Sequence, residues 1–351
     1  MPSMTYGEAI RDALAVALAR DPAVLVYGLG TPDPKGVFGT TLGLQAAFGV
    51  DRVFDMPTSE NAMTGIGVGA ALGGLRPVLT HQRLDFALLS LDQIVNNAAK
   101  WRFMFGGRGS VPLTIRMILG RGWGQGPTHS QNLQSWFAHV PGLCVVAPTT
   151  PEDAKGLLLN AIFGEDPVIF LEHRWLHNVT GEAPEGFYRV PFGQARRLRE
   201  GADVTVVAMS LMSLEAAHAV DHLAREGLTC DLLDLRSLNP IDWPAIDASV
   251  RRTGRLLVVD AGHETGGVAG EIIAHAATRL WGDLRAPPRR LAMPDAPEAT
   301  SPALTAAYHV RAEHIAAAIA EMLGRSTDTT PLVAARRFPH DVPGDWFRGP
   351  F

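Results

Sequence analysis

Residues 55–86 read DMPTSENAMTGIGVGAALGGLRPVLTHQRLDF, and the rest of the chain is organised around them. A short apolar run, Val53-Phe54, leads in and reads as a strand that ends by Pro57. A lone acid, Glu60, follows in a Thr-Ser-Glu turn. Beyond it the chain carries no charge until Arg76, and Gly65, Gly69 and Gly73 recur every fourth residue. On a helix these three share one face. Each glycine weakens a helix by roughly 0.5–1 kcal/mol relative to alanine, so three on one face predict a compensating close approach by another backbone. The pattern is a carboxylate at the head of a helix that is buried against something else. Two simpler readings stand beside it. Glu60 alone serves as a first-turn acid that complements the helix dipole. Gly65-Ile66-Gly67-Val68-Gly69 has the look of a dinucleotide loop, but that motif needs its glycines in the strand-to-helix turn. Here they fall inside the apolar segment, so close helix packing is the better explanation.

Composition narrows the classes. The chain has 351 residues, 46% hydrophobic and 19% charged, enough for two domains with large cores. The net charge is -5 and no basic run stands out, which argues against nucleic acid. No apolar run reaches the length of a membrane span. The N-terminus reads as an amphipathic helix with a capping box at Thr5 and Glu8. It carries acids and lacks a basic start, which predicts a cytoplasmic chain without a signal peptide. Cys144 and Cys230 lie far apart in apolar, strand-like runs and are expected to be buried free thiols.

Elsewhere apolar strand-like runs alternate with helical periods. Strands are expected at 24–27, 52–55, 77–80, 111–117, 143–146 and 168–171. Residues 88–101 read as an amphipathic helix, and Thr150-Pro151-Glu152-Asp153 opens another. A polar connector at 177–201 separates a second half with strands at 204–209, 229–235 and 255–260. Its helices are expected at 211–225, 244–251, 267–280 and 310–323. This alternation predicts an α/β fold of two domains, 1–190 and 200–324, each a mostly parallel sheet covered by helices. Residues 325–351 form a polar, Pro-rich tail, either disordered or an arm laid on a partner.

Glu60, the segment from His81 to Phe86, and His129 in its glycine-rich loop all fall on turns at the ends of expected strands. Sites in open parallel sheets gather beyond the carboxyl ends of strands. A carboxylate, an aromatic and an imidazole there suit an organic-cofactor pocket. Equally, Phe86 serves as core, and His129 caps the following helix, with Ser130 and Gln131 at its start.

At this point the chain resembles a family. Over about residues 5–323 it is similar to the beta subunit of the 2-oxo acid dehydrogenase decarboxylating component, the class of pyruvate, branched-chain 2-oxo acid and acetoin dehydrogenases. The blocks that carry the resemblance agree in order: Pro57-Thr58-Ser59-Glu60, GIGVGAALGGLRPV, Asp85-Phe86, DQIVNNAAKWRFMFGG, THSQNLQSWFAHVPGLCVVAP, TPEDAKGLL, DPVIFLEH and DLRSLNPID. The resemblance implies two transketolase-like domains, with thiamine diphosphate bound between an alpha and a beta chain. By resemblance Glu60 hydrogen-bonds the aminopyrimidine ring nitrogen. Phe86 packs on that ring, and Gln82 and the Thr58 backbone line it. His129 transfers a proton or holds the substrate carboxylate or the acyl acceptor. The face of Gly65, Gly69 and Gly73 becomes a subunit contact. The family's Gly-Asp-Gly signature for diphosphate and Mg2+ is absent, since Gly282-Asp283 is followed by Leu284. The Mg2+ ligands are therefore expected from an alpha subunit, in an assembly of two alpha and two beta chains that hands its product to a lipoyl-bearing acyltransferase. A structural potassium ion is implied near Leu113, Ala161, Ile162 and Asp166, where Gly164 and Glu165 depart from the pattern.

Other departures leave the substrate open. His81 and Arg83 add positive potential where many relatives have an acid and bulky groups, which leaves the lipoyl step open as well. A two-chain carboligase or transketolase-type enzyme with an aldehyde acceptor is the nearest alternative. A structural subunit with a silent site and a monomeric Rossmann dehydrogenase are the others.

Overall fold

The computed structural model describes residues 1–32, 36–120, 124–336 and 340–342. The chain divides into two units, and both are α/β. The first comprises residues 1–120 and 136–192. Residues 124–135, although they lie inside the first half, go with the second unit.

The first unit holds β1 (Ser3–Thr5), β2 (Val24–Gly28), β3 (Val53–Asp55), β4 (Arg76–His81), β5 (Thr114–Leu119), β6 (Cys144–Val146), β7 (Val168–His173) and β8 (Thr180–Glu182). Six of them form a parallel array in the order β6-β7-β5-β4-β2-β3. Every residue of β5 and β7 is buried, as expected of parallel strands covered on both faces. β1 and β8 pair antiparallel as a separate ribbon. The first helix, Tyr6–Arg20, starts at the expected capping box. Thr5 Oγ1 accepts from Glu8 N at 3.1 Å, and the Glu8 carboxylate accepts from Thr5 N at 2.7 Å. That helix packs on Pro151–Ile162, which Thr150 caps.

Two expectations shift here. The strand expected at 111–117 begins only at Thr114. Pro112 has no N–H to give a ladder, and the chain turns tightly, with Leu113 N on Val111 O. The helix expected at 88–101 forms, but with irregular turns. A 3-10 turn at Leu88–Ser90 leads into a wider turn at Gln93–Ala98, where Asn96 and Asn97 bond back to Asp92 and Gln93.

The second unit holds β9 (Arg196–Arg199), β10 (Val204–Ala208), β11 (Cys230–Asp234), β12 (Ser237–Asn239), β13 (Leu256–His263) and β14 (Arg289–Met293). The sheet order is β14-β13-β10-β11-β9, parallel except for β9 at one edge. β9 and β14 went unforeseen because they read RRLR and RRLAM. Arginine-rich strands are at home on sheet edges, where charge discourages further pairing. The described residues of the tail, 325–336 and 340–342, belong to this unit. Arg336 pairs with Glu313, and Thr305 Oγ1 lies 3.4 Å from Asp341 Oδ2. The aromatic end of the tail lies outside the described residues. Cys230 is buried and Cys144 half-buried, and both are free thiols.

Candidate functional site

Glu60 opens the helix Glu60–Leu72, which follows β3. Its residues Glu60, Met63, Thr64, Gly67, Val68 and Ala71 are buried. Glu60 as a residue is only 8% exposed, yet no hydrogen bond or ion pair to its carboxylate exists among the described residues. The helix start carries no side-chain cap from Ser59, so the carboxylate sits at the uncapped amino end of the helix. Thr64 Oγ1 donates back to Glu60 O at 2.9 Å.

Gly67, off the expected face, makes the close approach to the sheet. A Cβ there would lie 2.4 Å from the Tyr27 hydroxyl and 3.1 Å from Leu113. A Cβ on Gly65 would touch Gln93, one on Gly69 would meet open space, and Gly73 caps the helix end. The outward face of Asn61, Ala62, Ile66 and Gly69 is exposed, with Ile66 as its large apolar side chain.

β4 ends at His81, and Gln82, Arg83 and Phe86 follow at its carboxyl end. Gln82 is half-buried against the β2 exit. A Cβ on Gly30, which has φ +71°, would lie 2.4 Å from Gln82 Nε2, so glycine is what lets that amide settle there. Phe86 is half-buried in the short helix Leu84–Ala87, which packs beside Glu60–Leu72. Thr58 is exposed in the turn ahead of Glu60. The first unit thus holds Thr58, Glu60, Gln82 and Phe86 on strand exits at one end of its sheet.

The positive charges flagged in the sequence turn inward. Arg83 is buried and donates to Gly120 O at 3.0 Å. Burial pushes its guanidinium below its ordinary value, and Asp85 opposes that. Arg174, also buried, lies 4.2 Å over the Phe38 ring, and burial followed by Arg83 pushes it down to about 10. Arg116 forms a fully buried two-point pair with Glu172, at 2.6 and 3.0 Å. Burial alone would raise Glu172, but Arg116 and His177 outweigh it and hold the carboxyl below its usual range. His81 is 1% exposed with both ring nitrogens unpartnered among the described residues, and burial lowers it to about 4. It is therefore a neutral imidazole.

His129 belongs to the second unit. It is exposed, with Nδ1 2.9 Å from Thr128 Oγ1. It does not cap the next helix, which starts only at Gln134, and Ser130 Oγ bonds Gln125 O instead. The segment is tied down by Gln134 Nε2 on the buried Asp260, at 2.7 Å. Asp260 also accepts from Gly262 N and Ala269 N. That anchor went unforeseen, since a lone Asp at a strand end carries no motif. Residues 121–123, in the glycine-rich loop before His129, lie outside the described residues.

Against known families, the transketolase pyrimidine-binding domain matches residues 2–179 and the transketolase C-terminal domain matches residues 193–315. The beta subunit of acetoin:2,6-dichlorophenolindophenol oxidoreductase from Cupriavidus necator is 43% identical over 88% of this chain and 94% of its own. This chain belongs to the transketolase-like family of dehydrogenase beta subunits. The beta subunit of the pyruvate dehydrogenase E1 component from Bacillus subtilis is 40% identical over 84% of this chain and 91% of its own. A split-gene transketolase, solved as an inactive beta4 tetramer, superposes with a TM-score of 0.71 over 92% of this chain and 99% of its own. At 21% identity the likeness is one of fold.

Two further places bear on this family membership. Where the resemblance implied potassium, Arg76 Nη1 donates to Ile162 O at 3.2 Å and Gly164 O at 2.7 Å. Its other nitrogen pairs with Glu165, and Arg102 pairs with Asp166. A cavity of about 880 Å³ in the first unit is lined by Ala99, Phe103, Val111, Leu143, Cys144 and Pro167. It lies at the amino ends of β5, β6 and β7, away from the end that carries Glu60. No helix among the described residues is long and apolar enough to cross a membrane.

Proposed function

We propose that this chain is the beta subunit of a heteromeric thiamine diphosphate-dependent enzyme. The enzyme decarboxylates a 2-oxo acid and passes the acyl unit to a lipoyl carrier. The observation that carries the proposal is Glu60: a nearly buried carboxylate at a helix head, with no internal partner, in a chain 40–43% identical to dehydrogenase beta subunits. A carboxylate held in a packed site without a partner in its own chain is free to take a hydrogen bond from a ligand, and a protonated ring nitrogen is such a ligand.

When bound, the cofactor supplies the electron sink for decarboxylation. This chain's residues would do the rest of the pyrimidine side. Glu60 would hold a proton between its carboxylate and the ring nitrogen, in a pocket where exclusion of water strengthens that bond. Phe86 would pack on the ring, and Gln82, fixed by Gly30, and the Thr58 backbone would line it. His129 would move a proton or hold the substrate carboxylate or acyl acceptor. An alpha subunit would bring the diphosphate half with its Mg2+, in an assembly of two alpha and two beta chains in the cytoplasm. The exposed face of the Glu60–Leu72 helix would be its contact with another chain.

Glu60→Gln tests the assignment. The variant should assemble normally and lose kcat by orders of magnitude. Full activity in the assembled complex would refute the mechanism. Product analysis with a lipoyl acceptor against an aldehyde separates dehydrogenase from carboligase chemistry.

A further inference from the structure

We propose that Tyr27 is a positioning residue for Glu60: its hydroxyl fixes the first turn of the Glu60–Leu72 helix and with it the place of the carboxylate. The proposal rests on the assignment of Glu60 made above.

Tyr27 is the next-to-last residue of β2 and is buried. Its strand pairs on one side with Phe54 and on the other with Leu79, and its ring stacks on Phe54 with centroids 5.5 Å apart. The phenol is thus fixed by the sheet. Its hydroxyl leaves the sheet and donates to Met63 O at 3.0 Å. Met63 lies three residues beyond Glu60, on the same buried face. In a regular helix Met63 O also receives the N–H of Gly67, so the hydroxyl must reach a carbonyl flanked by residue 67. Any side chain there would block it, since a Cβ would stand 2.4 Å from the Tyr27 oxygen.

Each half of this contact is unfavourable alone. Glycine at an interior position weakens the helix, and a phenol hydroxyl in a core needs a partner. Together they form a lock between sheet and helix, one turn from Glu60, at a helix end that Ser59 leaves uncapped. The same strand exit carries Gly30, against which Gln82 rests. One strand end therefore sets both the acid and the amide proposed to face the pyrimidine.

Tyr27→Phe, Gly67→Ala and the double variant test the lock, alongside Glu60→Gln, in the assembled enzyme and in the cofactor-free chain. The readouts are the thermal midpoint, amide hydrogen exchange at residues 60–64 in the cofactor-free chain, the thiamine diphosphate dissociation constant, and kcat and KM. Tyr27→Phe should fold normally and exchange faster at residues 60–64. It should bind the cofactor more weakly and lose about tenfold in kcat at unchanged KM, the scale of one hydrogen bond. Gly67→Ala should lose both thermal midpoint and kcat, because the phenol is driven out. The double variant should regain part of the midpoint, since the oxygen that met the new Cβ most closely is gone and the Leu113 contact remains, but not kcat.

Two results would overturn the lock: a Tyr27→Phe chain that exchanges and turns over like its parent, or a double variant that regains kcat together with its midpoint. If Gly67→Ala does not fold, Tyr27→Phe alone decides. Failure of the Glu60 assignment looks different, because Glu60→Gln would then be fully active whatever the Tyr27 variants do.

Discussion

Replacing His81 by Phe should flatten the acid limb of this chain's stability. The imidazole is 1% exposed and neither nitrogen has a partner among the described residues. Burial lowers its pKa from 6.5 to about 4. In the unfolded chain the same ring takes up a proton as the pH falls through its ordinary value, while the folded ring stays neutral until about 4. The unfolded state therefore binds the proton first, and stability drops with falling pH across that window. The two values give a loss of about 2 kcal/mol between pH 7.5 and pH 5, rising to about 3 kcal/mol by pH 4. Phe has no proton to take up, so His81→Phe should lack this loss. At neutral pH the variant gains by removing an unpartnered polar ring and loses by adding bulk, each on the order of 1–3 kcal/mol. The slope is the cleaner quantity, because all other titrating groups are common to both chains. Urea unfolding at the two pH values measures it. If both chains lose the same stability between pH 7.5 and pH 5, the buried neutral imidazole is refuted.

Three further outcomes follow from buried charge and loop anchors. Glu172→Gln strands the Arg116 guanidinium and should cost about 3–5 kcal/mol by chemical denaturation; a loss under about 1 kcal/mol would count against the buried pair. Because the Glu172 carboxyl is held below its usual range, its contribution is present above the ordinary carboxylate pKa and disappears as pH falls through the lowered value. Arg76→Ala leaves Ile162 O and Gly164 O without their donor and should cost about 1–3 kcal/mol in a thermal melt. Asp260→Ala removes the acceptor of Gln134 Nε2, Gly262 N and Ala269 N, so limited proteolysis should cut faster within residues 124–135; an unchanged digest would show that the anchor lies elsewhere.

Much of the fold could be read in the sequence because its signals are local. The Thr5–Glu8 box, the Thr150 cap with Pro151, and the mostly apolar runs of β5, β7 and β10 fix elements by local signals. The strands that escaped are short, or are Arg-rich edges such as β9 and β14, where hydrophobic periodicity is weak. At the site, the spacing of Gly65, Gly69 and Gly73 pointed to close packing, and within the chain the close approach is made by Gly67, which that spacing does not mark. Which residue meets the sheet depends on Tyr27, which is distant in sequence, and period-four counting cannot see it. Glu60, Gln82 and Phe86 could be placed on strand exits from their neighbours. The Asp260 anchor of the His129 segment could not, since it joins residues 126 positions apart.

The most direct test of the half-site is the native mass of this chain recovered from its own host, with thiamine diphosphate assayed in the same sample. A complex with a second chain and one cofactor per copy of this chain is the expected result. A homo-oligomer that carries no cofactor, and takes up none when thiamine diphosphate and Mg2+ are added, would contradict it.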